Sequence, residues 1–318
     1  MRQLVAILLA PVLLATGLTA AAQDSEALNE LISSWTLVAV EKNVSSAEPT
    51  RARGARGLLI LDGAGNVFEF FSTATRNEPE APQVDPQRTF ANFGGFWGTF
   101  EVDDSAGQLH FEAASGVSPS VRGLSFSRSF EVSGNRLVIT STDEPQAQGD
   151  TRWVWQRVPT VEHLTPAYRE VVGFWQHVEE GRVDLATGEM ENPRRRAPSV
   201  IVYTPGGFVG VHFPSLGREP FSSDSPSAEE AQAGLRGYIG YFGALGVYPG
   251  EVSHNILAGI SPGTGAILRR AAEITDDTLV VTLQNTGSIE NGTQPETATQ
   301  VILRRLSGAD EMLPPEER

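Results

Sequence analysis

The side chains in this sequence that could do chemistry are few. Its 318 residues include no Cys, five His and a single lysine, Lys42. Cysteine nucleophiles, zinc thiolate sites and disulfides are therefore excluded, and Schiff-base chemistry would rest on Lys42 alone, beside a loop. Among the histidines, His254 is singled out by alternation. Val252, Ile256 and Ala258 share its parity, and residues two apart in a strand share a face, so His254 should point into an apolar interior. Arg270 shares a parity with Leu268, Ala272 and Ile274, and the turn at 261–265 places it opposite or nearly opposite His254 on the next strand. A guanidinium beside an imidazole disfavours its protonation, leaving a neutral ring able to donate and accept. The pair could bind an acidic or carbonyl group. It could also act catalytically, with His254 as general acid/base and Arg270 stabilising an oxyanion. A third reading is a satisfied polar plug in a filled interior.

Around this pair, Tyr203, Tyr241 and Trp175 are the expected walls, and His212, which alternates with Val211 and Phe213, is a further pocket candidate. His177 should face out, and His163 falls between the two halves of the chain. His110 should face water, because Leu109, Phe111 and Ala113 hold the inward parity there. No spacing of His, Asp and Glu makes a metal set. GlyThrGly at 263–265 does not lead from a strand into a helix, so it is not a phosphate loop, and no cofactor is expected.

These residues sit on short runs bounded by Gly, Pro, Asp, Asn or Ser, which read as strands. Eight fall in the first half, at 35–41, 57–61, 66–72, 93–102, 109–113, 122–132, 136–140 and 152–158. Eight more follow, at 174–180, 200–204, 208–213, 238–247, 252–260, 266–274, 278–283 and 300–306. Short helices are expected at 24–32, after ThrPro at 165–166, and at 228–235, where Ser227 and Glu230 form a capping box. That last helix stands where a barrel mouth would need a lid. Arg51, Arg53 and Arg56, and ArgArgArg at 194–196, fall in the loop after the first strand of each half and are expected to be solvated.

The halves align at a spacing near 142, with Gly65 on Gly207, Arg128 on Arg270 and Leu137 on Leu279, and Trp35 falls on Trp175 and Arg157 on Arg305. A repeat this long is a duplicated domain, not a solenoid. Sequential, half-apolar strands joined by tight turns suit a meander closed into a barrel. The fold class is all-β: two tandem eight-stranded antiparallel barrels, with short helices at the linker and at a barrel mouth. An eight-stranded barrel is either filled by side chains or holds one small ligand. In the first half Leu124, Phe126, Phe130 and Val132 share the parity of Arg128, so this cation too should point inward and needs a partner.

Residues 1–22 carry Arg2, an apolar run over 4–18 and small residues at 20–22, the pattern of a secretory signal peptide. The expected division is a signal peptide over 1–22, barrels over 31–158 and 171–306 with a linker at 159–170, and an acidic tail over 307–318. A formal charge of -15 disfavours nucleic acid and anionic lipid surfaces. No stable membrane insertion is expected after cleavage, and the location expected is periplasmic or secreted. Oligomeric state is not legible in the sequence.

The second half resembles the bacterial lipocalin-like domain family. The resemblance rests on GlyPheTrp at 173–175, ValIleValTyrThrProGlyGlyPheVal at 200–209, GluGluAlaGlnAlaGlyLeuArgGlyTyr at 229–238, TyrPheGlyAlaLeuGlyVal at 241–247 and GluValSerHis at 251–254. It continues through ProGlyThrGly at 262–265 and ArgArg at 269–270. The first half matches weakly: SerSerTrp replaces GlyPheTrp, and no His occupies the inward site. The resemblance implies a small antiparallel barrel with an interior pocket, and Arg157 and Arg305 packed over Trp35 and Trp175 at the closed ends. The function expected is binding of a small, largely apolar molecule in the second barrel, at His254, Arg270, Tyr203, His212, Tyr241 and Trp175. The alternatives are a cofactor-independent isomerase, cyclase or hydratase using His254 and Arg270, and a structural protein with filled barrels.

Overall fold

The computed structural model describes residues 26–313 apart from 47–49, 53, 74–84, 142–149, 162, 224 and 284–295. The expected signal peptide lies outside the described residues. The first barrel comprises β1 (Ser33–Lys42), β2 (Thr50–Ala52), β3 (Arg56–Leu61), β4 (Asn66–Ser72), β5 (Phe93–Asp103), β6 (Gln108–Gly116), β7 (Ser125–Ser133), β8 (Arg136–Ser141) and β9 (Thr151–Arg157). All pairings are antiparallel, and β1 pairs with both β3 and β9, which closes eight strands on themselves. The short β2 is an arm on the far end of β1. The second barrel repeats this order with β10 (Gly173–Asp184), β11 (Met190–Arg194), β12 (Val200–Tyr203), β13 (Phe208–Pro214), β14 (Tyr238–Tyr248), β15 (Glu251–Ser261), β16 (Ile267–Thr275), β17 (Thr278–Leu283) and β18 (Thr297–Ser307). Two tandem eight-stranded barrels are thus present. The arms β2 and β11 escape a reading by alternation because their polar side chains are almost all exposed.

Each barrel is closed at one end in the same way. A short helix, α1 (Glu26–Leu31) in the first and α3 (Pro166–Val171) in the second, runs into the opening strand; α2 (Pro86–Ala91) lies between them in the chain. Trp35 Nε1 donates to Leu31 O at 3.0 Å, and Trp175 Nε1 donates to Val171 O at 2.8 Å. Arg157 lies 4.2 Å over the Trp35 ring and Arg305 4.0 Å over that of Trp175, the expected cation-π pairs. Each guanidinium also ties the preceding helix down, Arg157 to Glu30 O and Arg305 to Glu170 O. The end of the stretch expected as a linker, 166–170, is therefore part of the closed-end helix of the second barrel, started by Thr165, whose side chain accepts from Tyr168 N.

The barrels join side to side. On β3 and β4, Leu59, Leu61 and Val67 face the first interior while Leu58, Ile60, Phe68 and Phe70 face outward. The same split on β12 and β13 turns Ile201, Tyr203, Val209 and Val211 inward, and Val200 and Val202 outward. The outward residues of both barrels form one buried cluster with Phe93, Trp97, Tyr238 and Phe242, which explains why these strands are apolar on both faces. Close approach depends on Gly210: a Cβ there would stand 2.4 Å from the Phe68 ring. Helix α4 (Ala228–Arg236) packs on α2 across this interface, with Phe221 edge-on to Phe90 at 5.0 Å, and does not lie over the mouth of its own barrel as expected from the sequence. The segment expected as an acidic tail is also an interface element as far as residue 313. Its helix α5 (Ala309–Met312) buries Ala309, Met312 and the following Leu313, while Ser307 Oγ donates to Asp62 at 2.5 Å. Three apolar side chains among the acidic ones account for this. No helix among the described residues is long and apolar enough to cross a membrane.

His212 belongs to this interface and not to the pocket. It follows Val211, so it has the opposite parity and faces the other barrel, fully buried. Its Nε2–H donates to Glu69 O at 2.9 Å, which leaves Nδ1 to accept from the Tyr238 hydroxyl. Burial lowers its pKa to about 3. Arg218 braces the same corner, donating to Gly116 O at 3.0 Å and Val117 O at 2.5 Å beneath the Tyr238 ring. Because His212 binds a proton less readily folded than unfolded, its contribution is constant above the ordinary His value near 6.5 and is lost as pH falls toward about 3. We expect the double variant His212→Phe with Tyr238→Phe to show a stability slope shallower than the wild type between pH 6 and pH 4 by up to about 1.4 kcal/mol per pH unit. Urea unfolding across that range measures it; parallel curves would contradict the assignment.

Candidate functional site in the second barrel

The second barrel contains a cavity of about 150 Å³, bounded by side chains from β12 to β18, Arg270 among them, together with Glu180 on β10 and Arg196. The first also contains one, of about 90 Å³. Neither barrel is completely filled. The difference between the two interiors lies in what surrounds the shared arginine.

In the first barrel Arg128 is 4% exposed and its Nη1 lies 2.5 Å from Glu69 Oε2. The guanidinium is packed 5.4 Å from the Phe96 and Phe111 rings, 5.3 Å from Phe126 and 4.5 Å from Trp153. It is neutralised and enclosed. The strand registers give the second-barrel counterpart of each neighbour. Glu69 opposes Phe96 and Leu59 as Val211 opposes Tyr241 and Ile201. Phe111 opposes Phe126 as His254 opposes Leu268, and Trp153 opposes Ile139 as Val301 opposes Val281. Around Arg270, then, the carboxylate has become Val211, Phe96 and Phe111 have become Tyr241 and His254, and two large rings have become Leu268 and Val301. Arg270 is half-buried at the cavity, and its one hydrogen bond is a long one, 3.4 Å to Arg269 O. Among the described residues no carboxylate comes within 4.0 Å of it.

His254 is 1% exposed and lies between two tyrosines, with Tyr203 Oη 3.2 Å from Nε2 and Tyr241 Oη 2.8 Å from Nδ1. Burial, then the nearby Arg270 charge, lowers its pKa to about 3. The ring is neutral at physiological pH, as the sequence predicts. It is not directly opposite Arg270, however: His254 opposes Leu268 and Arg270 opposes Val252, so the two are diagonal neighbours. Burial raises both tyrosine hydroxyls, which keeps them protonated. Tyr203 is fully buried behind His254, and among the described residues its hydrogen has no acceptor other than Nε2. It must donate there, or an orphaned hydroxyl would cost about 1–3 kcal/mol. Nδ1 then carries the ring proton and donates to Tyr241, whose own hydrogen is left for the cavity that Tyr241 lines.

At the rim, Glu180 is 3% exposed and is clamped by Arg194 Nε at 2.7 Å and by Arg196 at 2.8 and 3.0 Å. Burial alone would raise this carboxyl, but hydrogen bonds and charge from Arg196 and Arg194 outweigh it and hold it below the ordinary value. Arg196, expected to be solvated, is instead half-buried against Glu180, whereas Arg194 reaches the same carboxylate from the arm β11 and stays exposed, as expected. With Glu180 doubly satisfied, the cavity keeps a net positive charge from Arg270.

Of the expected site residues, His254, Arg270 and Tyr241 meet at the cavity, and Tyr203 supports them from behind. Trp175 is at the closed end under Arg305, away from the cavity, and His212 is on the outer wall. His177 has a buried side chain, 2% exposed and edge-on to Phe213 at 5.4 Å, and does not face out. It is two residues after Trp175 and so shares its inward parity. Sequence reading missed the exchange of Glu69 for Val211, although the spacing of 142 aligns these two positions. It also missed Glu180, because its bulged strand disrupts simple parity. No group of three or more potential metal ligands occurs among the described residues.

Residues 172–306 match the lipocalin-like domain family. No curated protein matches the chain. Two solved structures are distantly similar. A DUF3598-family protein of unknown function from Nostoc punctiforme is 11% identical, with 88% of this chain and 98% of that one covered and a TM-score of 0.21. A candidate outer membrane protein from Bacteroides fragilis is 10% identical, with 88% and 99% covered and a TM-score of 0.22. Both scores are low, so the assignment rests on the family match and on the barrels themselves. The second barrel is thus the part of the chain that matches the lipocalin-like domain, over 172–306, and the first is another eight-stranded barrel with the same strand order.

Proposed function

We propose that this is an exported binding protein whose second barrel takes one small monoanion, a carboxylate on a ring or short branched chain. The carrying observation is the arginine without its carboxylate: Arg128 is sealed by Glu69, whereas Val211 leaves Arg270 to a ligand. A guanidinium at the edge of an apolar cavity favours an anion, and its planar fork matches a carboxylate. Size sets the rest. A cavity near 150 Å³ holds a molecule about as large as benzene. Export follows from the signal-peptide pattern over 1–22, and the location from it is the periplasm or the exterior.

In this reading Arg270 supplies the charge, Tyr241 donates a hydrogen bond to the same carboxylate, and His254 fixes the direction of that donor. His254 serves poorly as an acid or base near neutrality, since its pKa of about 3 is far from the working pH and both ring nitrogens are engaged. Binding therefore fits the geometry better than proton transfer.

Titration calorimetry with benzoate, and with benzyl alcohol as the uncharged control, tests the reading. Arg270→Leu and Val211→Glu, which rebuilds the first barrel's internal ion pair, should each weaken benzoate at least about tenfold, the effect of removing one charge-assisted hydrogen bond. Benzoate binding unchanged in both variants, or absent from the wild type, would overturn it. The donor chain is tested separately by ¹⁵N spectroscopy of His254, which should show a protonated Nδ1 and a bare Nε2. The opposite tautomer would show that Tyr241 donates to His254 and not to the ligand.

A further inference from the structure

A larger space lies outside both barrel interiors. Where the open end of the first barrel meets residues 220–223, 225 and 226 of the second, the two enclose a groove of about 530 Å³, within the range of small-molecule sites. Phe90, Phe93 and Leu124 form one wall, and Pro220, Phe221 and Pro226 form the other. The walls are braced against each other: Gln87 Nε2 donates to Pro226 O at 2.8 Å and Phe221 N donates to Ser120 Oγ at 3.0 Å. Such bracing lowers the ordering cost of binding.

Among the described residues that line this groove, the one charged residue is Lys42, the sole lysine of the chain. Lys42 also borders the inner cavity of the first barrel, where the Arg128 charge is already consumed by Glu69. Among the described residues that line this mouth, the ammonium of Lys42 is therefore the cation that remains available to a ligand.

We propose that the inter-barrel groove is a second binding site, for an anionic amphiphile: an acidic head against Lys42 and an unbranched apolar chain along Phe90, Phe93 and Phe221. The site needs both barrels, because each supplies one wall, and it is independent of the monoanion site at Arg270. Pairing a point charge with a braced apolar trough selects a long-chain carboxylate over either a short acid or a neutral lipid.

Lys42 makes the test direct, since its side chain is the only amine that an acylating reagent can modify besides the chain's N-terminus. Dodecanoate, below its micellar concentration, should slow acetylation of Lys42, read by mass spectrometry, about tenfold, while acetate and dodecanol should not. By calorimetry, Lys42→Gln on one wall and Ser225→Asp on the other should each weaken dodecanoate at least about tenfold, the first by removing the cation that pairs with the carboxylate and the second by opposing it with a like charge. Arg270→Leu should leave dodecanoate binding intact. No protection of Lys42, or wild-type affinity in both groove variants, would overturn the proposal. Loss of dodecanoate binding in Arg270→Leu would overturn it too, by placing the carboxylate in the second barrel.

Discussion

Carrying a guanidinium into an apolar barrel costs several kcal/mol unless something answers its charge, and both barrels of this chain carry one at the same register position. The first meets the demand internally, with a carboxylate at 2.5 Å and four aromatic rings packed around the cation. The second has valine in place of that carboxylate and less bulk around a cation that is only half-buried, and in the proposed function a ligand's carboxylate takes the place of Glu69. Duplication supplies an internal control here: one copy shows the arginine as structure, and the other shows what remains when the structural partner is taken away. The Tyr203–His254–Tyr241 chain adds direction to the charge. Buried and neutral, it can present a hydroxyl hydrogen to the cavity without placing a second ion there.

The side-to-side packing of the barrels imposes a further constraint. Strands β3 and β4 are apolar on both faces because one face fills a barrel and the other joins the interface, and His212 is one of the polar residues this interface admits. The same backbone links the two environments. Glu69 directs its side chain to Arg128 in the first interior while its carbonyl accepts from His212 of the second barrel. Asp62 shows a similar economy at the edge, where burial lifts its carboxyl to about 6 while Ser307 and Asn66 hydrogen-bond to it.

Much of this was legible beforehand, for identifiable reasons. Alternation with period two located all sixteen barrel strands and the inward Arg128, Arg270 and His254, because each sits among apolar residues of its own parity. The closed-end Trp and Arg pairs followed from the repeat and the family resemblance. What failed was parity where it stops being local. His212 was misplaced because an apolar strand with two buried faces gives no sign of which face is the interior. Glu180 lies beyond a register shift in its strand, whereas His177 precedes that shift and simple parity with Trp175 already turns it inward. Arg196 read as solvated because the polar stretch after the arm β11, which brings it onto Glu180, carries no apolar pattern that would mark burial. The exchange of Glu69 for Val211 was visible in the alignment of the halves, but only the structure showed that Glu69 neutralises Arg128.

An anion should be taken up beside Arg270 and refused beside Arg128, which Glu69 already neutralises. Crystals grown with 4-bromobenzoate and measured at the bromine edge would show this directly. The prediction is a single anomalous peak in the second-barrel cavity, with the carboxylate on Arg270 and Tyr241, and Arg128 still paired with Glu69. Bromine at both arginines, or at neither, would contradict it.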